Sequence, residues 1–118
     1  MKNLTLRQLR VFAEVARHLS FVRAAEQLHL TPPAVTMQVK ELEEAIGLPL
    51  FDRQGRKVSL TTGGEYFLVY ARRVLATLKD AEVAMARLRH LDTGQLAVGL
   101  VATAKYFVPR LLARFRDE

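Results

Sequence analysis

Two short stretches of the chain hold side chains suited to binding a polyanion. In residues 31–40, TPPAVTMQVK, hydroxyl, amide and ammonium groups follow a pair of prolines. In residues 53–57, RQGRK, three cations stand together without an acid. Cations attract phosphate, and hydroxyl and amide groups can hydrogen-bond to phosphate oxygens or to base edges. Catalysis has no such support, because the sequence shows neither a Ser-His-Asp arrangement nor a motif of paired carboxylates. We therefore expect a binding protein and not an enzyme.

The overall charge agrees with a polyanionic partner. The 118 residues have a formal net charge of +6 and a pI near 10.2, which suits nucleic acid or an anionic membrane surface. Residues 1–60 and 61–118 each contain nine Lys/Arg and six Asp/Glu, so charge alone does not locate the binding face. No apolar run approaches the ~20 residues of a membrane span. The chain also lacks cysteine, and a reducing cytoplasm is the expected location.

The histidines do not suggest a metal site. His18, His29 and His90 are far apart in the sequence and form no i, i+4 ligand pair. Without cysteine there is no thiolate ligand either. We expect no metal and no cofactor in these 118 residues.

Capping residues predict three helices ahead of the basic stretch at residues 53–57. Thr5 with Gln8 forms a capping box, and Ser20 can cap a second, short helix. Thr31 can cap a third helix whose first turn holds Pro32 and Pro33. Proline is tolerated there because those N–H groups lack partners within the helix. The two prolines therefore predict a sharp, stiff helix start.

The third helix divides into a buried and an outward arc at roughly 100° per residue. The apolar arc, expected in the core, consists of Val35, Val39, Leu42 and Ile46. The outward arc consists of Pro33, Thr36, Met37, Lys40 and Glu44, with Gln38 on the flank. Gly47 is the expected end of the helix. The acids Glu41, Glu43 and Glu44 are interpreted as a solvated face, which would turn the C-terminal half of this helix away from phosphate.

After Gly47 the pattern predicts a hairpin and then a long helix. Leu50-Phe51 and Val58–Leu60 read as short strands joined at Gln54-Gly55, and Thr62 to Glu65 as a capping box. The helix would run to about Leu91. Its heptad-like apolar seam consists of Phe67, Tyr70, Val74, Leu78, Ala81, Met85 and Leu88. Such a seam favours packing against a second copy, the alternative being packing along a larger domain of the same chain. Residues 95–101 read as a strand and residues from 103 onward as a helix.

Together these elements predict a mainly α fold, a winged helix-turn-helix followed by a long dimerisation helix. One helix of such a module fits the DNA major groove, and a wing arginine can enter a narrow minor groove. The sequence LRQLRVFAEVARHLSFVRAAEQLHLTPPAVTMQVKELEEAIGLPLFDRQGRKVSLTTGGEYFL resembles the LysR-type transcriptional regulators. The motif positions include Ala24-Ala25, Leu50-Phe51-x-Arg53 and Leu60-Thr61-x-x-Gly64. Within that family the chain is most similar to regulators of carbon-dioxide-fixation operons.

The resemblance implies three parts: a DNA-binding domain in residues 1–62, a dimerisation helix in residues 63–92, and the truncated start of an α/β effector domain in residues 93–118. It implies a homodimer on inverted-repeat promoter DNA, a tetramer at full length, RNA polymerase as a further partner, and a small-molecule effector of unknown identity. By match to the family motif, bases are met at Pro32, Pro33, Thr36 and Met37, and the minor groove at Arg53. The candidate DNA contacts are Ser20, Arg23, Thr31, Pro32, Pro33, Thr36, Met37, Gln38, Lys40, Arg53 and Arg56.

Several of these residues have a simpler interpretation. Gln38 and Lys40 can be ordinary solvated helix residues, and Ser20 is first of all a helix cap, with a phosphate contact by Ser20 or Arg23 as the alternative. Arg56 can act through diffuse attraction or solubility alone. Many members of the family carry Arg where this chain has Met37, so we expect weaker guanine readout and a stronger thymine preference there. A protein-interaction module is the rival function, although it needs neither the basic wing nor the proline-started helix.

Overall fold

A computed structural model describes residues 3–92 of the chain. The elements are α1 (Leu6–His18), α2 (Phe21–Leu28), α3 (Pro32–Ile46), β1 (Phe51–Gln54), β2 (Lys57–Leu60) and α4 (Thr62–Asp92). The strand predicted at residues 95–101 and the helix predicted from residue 103 lie outside the described residues. Within residues 3–92 the fold is that of a mainly α winged helix-turn-helix continued by a long helix, as predicted.

The first three helices begin at the residues that the sequence indicates. The Thr5 Oγ1 accepts a hydrogen bond from the Gln8 N–H, and the Gln8 Oε1 accepts one from the Thr5 N–H, completing the capping box. Ser20 caps α2, and the Thr31 Oγ1 accepts from the Ala34 N–H at the start of α3. Each cap satisfies backbone donors that have no partner inside the helix. Local sequence therefore fixes where these helices start.

One apolar core joins the three helices, the base of the hairpin and the start of α4. Its fully buried large side chains include Phe12 of α1, Leu42 of α3 and Leu50 before β1. Helices α1 and α2 meet where Ala24 and Ala25 are buried, since these small side chains allow a close approach. On the predicted apolar arc of α3, Val35 and Val39 are buried with Leu42, while Ile46 is partly buried against the core. This burial fixes the rotation of α3 about its axis, and hence which side faces outward.

The wing is a two-stranded antiparallel hairpin. Strands β1 and β2 pair Phe51 with Leu60 and Arg53 with Val58. A two-residue loop, Gly55-Arg56, joins the strands, and Gly55 has a φ of +62°. A glycine with positive φ at the first loop position matches a type II′ turn, whose twist suits paired strands.

The start of α4 corrects one prediction from the sequence. Thr61 and not Thr62 caps the helix, because the Thr61 Oγ1 accepts from the Gly64 N–H at 2.9 Å. The Thr61 hydroxyl also donates to the Pro49 carbonyl at 2.7 Å, and its N–H donates to the Leu50 carbonyl. These bonds to the segment before β1 hold Thr61 at the end of the hairpin, so the helix can begin only after it.

The contacts within the chain separate two units, residues 1–78 and residues 79–118. In the first unit, α4 contributes Leu68 and Ala71 to the core, and Leu75 packs partly against it. In the second unit, the described part is the remainder of α4, residues 79–92, and most side chains of residues 79–91 are exposed. Across residues 3–92, no helix combines the length and the apolar character needed to cross a bilayer.

Candidate nucleic-acid interface

The N-terminal half of α3 presents a mixed polar and apolar surface to solvent. Because Val35 and Val39 are buried on the other side, Met37 and Lys40 are exposed, and 56% of the Met37 surface is accessible. Thr31, Pro32 and Pro33 are exposed as well, whereas Thr36 and Gln38 are half-buried. The positions that the sequence places on the outward arc are therefore accessible, with Thr36 and Gln38 at its margins.

The backbone at this helix end is rigid. Thr31 has the extended conformation of an N-cap, and the two prolines occupy the first two helical positions. Their rings fix φ and remove two N–H groups that would otherwise need water or a ligand. This end of α3 can therefore approach another molecule closely without leaving those two donors unsatisfied.

The N-terminus of α2 offers a second set of donors. The Ser20 Oγ accepts from the Arg23 N–H at 3.1 Å, which confirms the predicted cap. That bond uses Ser20 as an acceptor and leaves its hydroxyl proton available for donation. Arg23 is exposed, one turn into α2. Both side chains could meet a phosphate, although the structure shows only the capping role.

The wing carries three exposed cations, Arg53, Arg56 and Lys57. Arg56 lies in the loop, and Arg53 lies in β1 with its Cζ 3.8 Å from the centroid of the Phe21 ring. Phe21 is half-buried and is the first residue of α2. The sequence did not predict this contact, because Phe21 and Arg53 belong to different elements.

Glu43 connects α3 to the wing, and this corrects the prediction that it belongs to a solvated acidic face. Its Oε2 accepts hydrogen bonds from the Leu50 N–H at 2.7 Å and from the Phe51 N–H at 3.3 Å. Glu43 is therefore half-buried and not part of a solvated acidic face. A carboxylate from α3 thus accepts hydrogen bonds from two backbone N–H groups at the start of β1. The sequence did not indicate these bonds, because Glu43 and Leu50 are seven positions apart and belong to different segments.

The other acids of α3 behave differently from Glu43. Glu44 is exposed, and the Glu41 Oε2 lies 3.4 Å from the Gln8 Nε2, which donates to it. These two carboxylates give the C-terminal half of α3 a negative outer side. Phosphate would be repelled there, so only the N-terminal half of α3 suits a polyanion.

Metal binding has no support within residues 3–92. No group of three His, Cys, Asp or Glu side chains in this range is placed to hold a metal ion. His18 lies 3.2 Å from a Glu14 carboxylate oxygen, a local contact between neighbouring turns of α1. The chemistry that this surface can perform is recognition by charge, hydrogen bonding and apolar contact.

The predicted dimerisation seam falls partly on the core and partly on the surface. Phe67 is half-buried, and its ring centroid lies 5.5 Å from that of Phe12, so it packs within its own chain. Tyr70 and Val74 are exposed, and Leu78 is half-buried. In the second unit, Ala81, Met85 and Leu88 are exposed. The seam stays a prediction.

Comparisons with known proteins agree with this geometry. Residues 6–65 match the family model described as bacterial regulatory helix-turn-helix protein, lysR family. The chain is 50% identical to the HTH-type transcriptional regulator CfxR of Cupriavidus necator over 98% of its own length and 36% of the relative. It is 48% identical to a RuBisCO operon transcriptional regulator of Acidithiobacillus ferrooxidans over 100% of its length and 38% of the relative. The chain thus spans little more than a third of these relatives.

Solved structures show the same fold. The structure of a CbnR_DBD–DNA complex is 32% identical, with a TM-score of 0.68, covering 73% of this chain and 99% of that one. The structure of a BenM_DBD/catB site 1 DNA complex is also 32% identical, with a TM-score of 0.70, covering 73% and 97%. The family model covers more than half of the 118 residues. The chain belongs to the LysR family of bacterial regulatory helix-turn-helix proteins.

Proposed function

We propose that this chain is the DNA-binding part of a transcription regulator that recognises an inverted-repeat promoter site. The proposal rests on the N-terminal half of α3, which starts with two prolines and is exposed because the opposite side of the helix is buried. The same domain contains a wing that carries Arg53. Complexes of DNA with 32% identical LysR-family domains of the same fold support it. A module of this kind needs no catalytic group.

The physical division of labour follows from the side chains. The N-terminal residues of α3 meet base edges in the major groove, where a thymine methyl group suits the Met37 thioether. Lys40 and the cations of the wing attract phosphate and fix the register. Arg53 enters the minor groove, whose narrow A·T-rich form has a strengthened negative potential.

The names of the relatives extend the proposal to a target. Two relatives with about half of their residues identical to this chain are called a transcriptional regulator and a RuBisCO operon transcriptional regulator. We infer a promoter of a carbon-dioxide-fixation operon as the site. The whole protein would act in the cytoplasm as a dimer or tetramer, with a small-molecule effector and RNA polymerase as partners. The division into residues 1–62, 63–92 and 93–118 is part of this proposal.

Salt dependence of binding tests the proposal. The 118-residue chain is titrated with a duplex from such a promoter at several salt concentrations. Because each phosphate contact releases condensed counterions, the slope of log K against log salt should be steep and should become shallower by about 0.9 in Lys40→Gln. The matched control is Lys79→Gln, an exposed lysine on α4 that loses the same charge outside the proposed interface. Its slope should equal that of the unmodified chain.

Two results would contradict the proposal. Absence of binding at every salt concentration would favour a protein-interaction module. Equal slopes for Lys40→Gln and the unmodified chain would show that the outer side of α3 does not meet phosphate.

A further inference from the structure

We propose that Phe21 is a positioning residue for the wing arginine: its ring holds the Arg53 guanidinium in the free protein, ready to enter the DNA minor groove. The inference rests on the proposed function, because it assumes that Arg53 meets the groove. It adds a role for a phenylalanine of α2 that has no polar atom of its own. The argument starts from the contact between the two side chains.

The contact is a close stack. The Arg53 Cζ lies 3.8 Å from the Phe21 ring centroid. Guanidinium groups are attracted to the negative face of an aromatic ring within about 6 Å, and their planar shape also allows stacking. The two side chains come from different elements, β1 and α2, so the stack links the wing to the start of a helix.

Strand geometry explains why an arginine extends toward α2 at all. Residues two apart in a strand point to the same side, so Arg53 shares its side of β1 with Phe51. Phe51 is buried, and its ring meets that of Phe21 edge-on, with centroids 5.6 Å apart at 69°. Arg53 therefore extends over the protein and not away from it.

The backbone at the start of α2 does not attract a cation. Phe21 begins α2 directly after its N-cap, and a helix N-terminus carries partial positive charge that disfavours a cation. Within residues 3–92, no carboxylate is paired with the Arg53 guanidinium, and the Phe21 ring is its partner. The ring face is thus the partner that the structure shows for this cation.

Stacking leaves the arginine able to bind. A guanidinium stacks through its flat face, whereas its five N–H donors point outward in the plane. Those donors can reach the adenine N3 and thymine O2 acceptors on the floor of the minor groove. A long side chain that is already confined loses less rotamer entropy when it binds. Phe21 should therefore tighten binding through Arg53 without touching DNA itself.

The ring is itself held in place. Phe21 meets Phe51, and the Phe51 centroid lies 5.4 Å from that of the fully buried Phe12. A ring anchored in this way offers the guanidinium a fixed surface. A flexible aliphatic side chain of similar size would fill the space without the negative face that attracts the cation.

A double-mutant cycle in the 118-residue chain tests the inference. The four proteins are the unmodified chain, Phe21→Leu, Arg53→Ala and the double variant, each titrated with a promoter duplex that has A·T pairs at the wing site. We expect Phe21→Leu to weaken binding about three- to tenfold, the range of an exposed to partly desolvated cation–π contact. In the Arg53→Ala background the same substitution should have little further effect, because the partner of the ring is already gone.

Three further readouts separate positioning from a purely structural role. Phe21→Tyr keeps the ring face and should restore nearly full affinity. Placing G·C pairs at the wing site should shrink the effect of Phe21→Leu, since the guanine amino group obstructs the minor-groove floor. Without DNA, the Arg53 side-chain N–H proton should show an upfield ring-current shift by NMR, and Phe21→Leu should abolish it. Thermal unfolding by circular dichroism checks that each variant is folded.

The outcomes are distinguishable. If the unmodified chain does not bind duplex DNA, the proposed function is wrong and the inference fails with it. If the chain binds but Phe21→Leu weakens both backgrounds equally, Phe21 is structural and only the inference is wrong. Tighter binding by Phe21→Leu would also overturn it, because the stack would then hold Arg53 away from the groove. An unshifted Arg53 proton would show that the stack does not form in solution.

Discussion

Under the proposed function, Met37 determines what α3 reads at one position of each half-site. Met37 is more than half exposed, on the side of α3 opposite the buried Val35 and Val39. A thioether cannot donate two hydrogen bonds to the guanine O6 and N7, but it can pack against a thymine methyl group. At this single residue, exposure comes from the fold, whereas the expected base preference comes from side-chain chemistry.

We expect Met37→Arg to move the base preference toward guanine at one position of each half-site. A bidentate arginine–guanine contact is worth about 1–3 kcal/mol of discrimination, which is roughly 5- to 150-fold. Selection of binding sites from a randomised duplex pool measures the change. Met37→Leu, which keeps an apolar side chain, is the control and should retain the preference of the unmodified chain. An unchanged preference in Met37→Arg would mean that this side chain meets no base.

Other single residues show where sequence reasoning ends. The buried arc of α3 and the caps Thr5, Ser20 and Thr31 were predictable, because both depend on spacing within a few residues. Glu43 was misassigned because its partners are backbone N–H groups of another segment. Residue types do not indicate where such backbone groups lie in the fold. The stack of Arg53 on Phe21 joins residues 32 positions apart and depends on how the wing leans on α2.

At the scale of elements, the junction of the hairpin with α4 depends on one close backbone approach. A Cβ at Gly64 would overlap the Leu50 carbonyl oxygen and would also press on the Leu60 side chain. The sequence motif contained this glycine without showing its reason. The same approach allows Thr61, and not Thr62, to become the cap. Two adjacent threonines followed by two glycines leave that choice open until the tertiary contact is known.

We expect Gly64→Ala to destabilise the fold by about 2–3 kcal/mol, because the backbone must move to accommodate the methyl group. The matched control is Gly63→Ala. A Cβ there would lie 3.5 Å from the Pro49 carbonyl oxygen, an ordinary contact. Replacing an unstrained helical glycine should stabilise by about 0.5–1 kcal/mol. Chemical denaturation of both variants measures the difference, and equal stabilities would show that the approach at Gly64 is not tight.

At the scale of the whole molecule, the first unit leaves apolar side chains of α4 uncovered. Leu68, Ala71 and Leu75 face the core, whereas Tyr70 and Val74 are exposed at 61% and 43%. At 100° per residue the exposed group lies roughly a third of a turn from the inward group. One helix therefore has an apolar side for its own domain and a separate apolar side that no other element of residues 3–92 covers. The sequence predicted the seam but assigned Phe67 to it, whereas the Phe67 ring packs against Phe12 within its own chain.

A two-fold dimer through the second side would place two copies of α3 at half-sites about one helical turn apart or a multiple of it. We expect the paired substitution Val74→Glu and Leu78→Glu to produce monomers in sedimentation and to weaken binding to an inverted repeat, because buried carboxylates at an apolar interface are unfavourable. The control, Ala76→Glu, adds a carboxylate at an exposed position on the opposite side of the helix. It should leave both the sedimentation coefficient and the affinity for DNA unchanged. A double variant that sediments like the unmodified chain would exclude this seam. The two copies of α3 would then have to be joined through another surface.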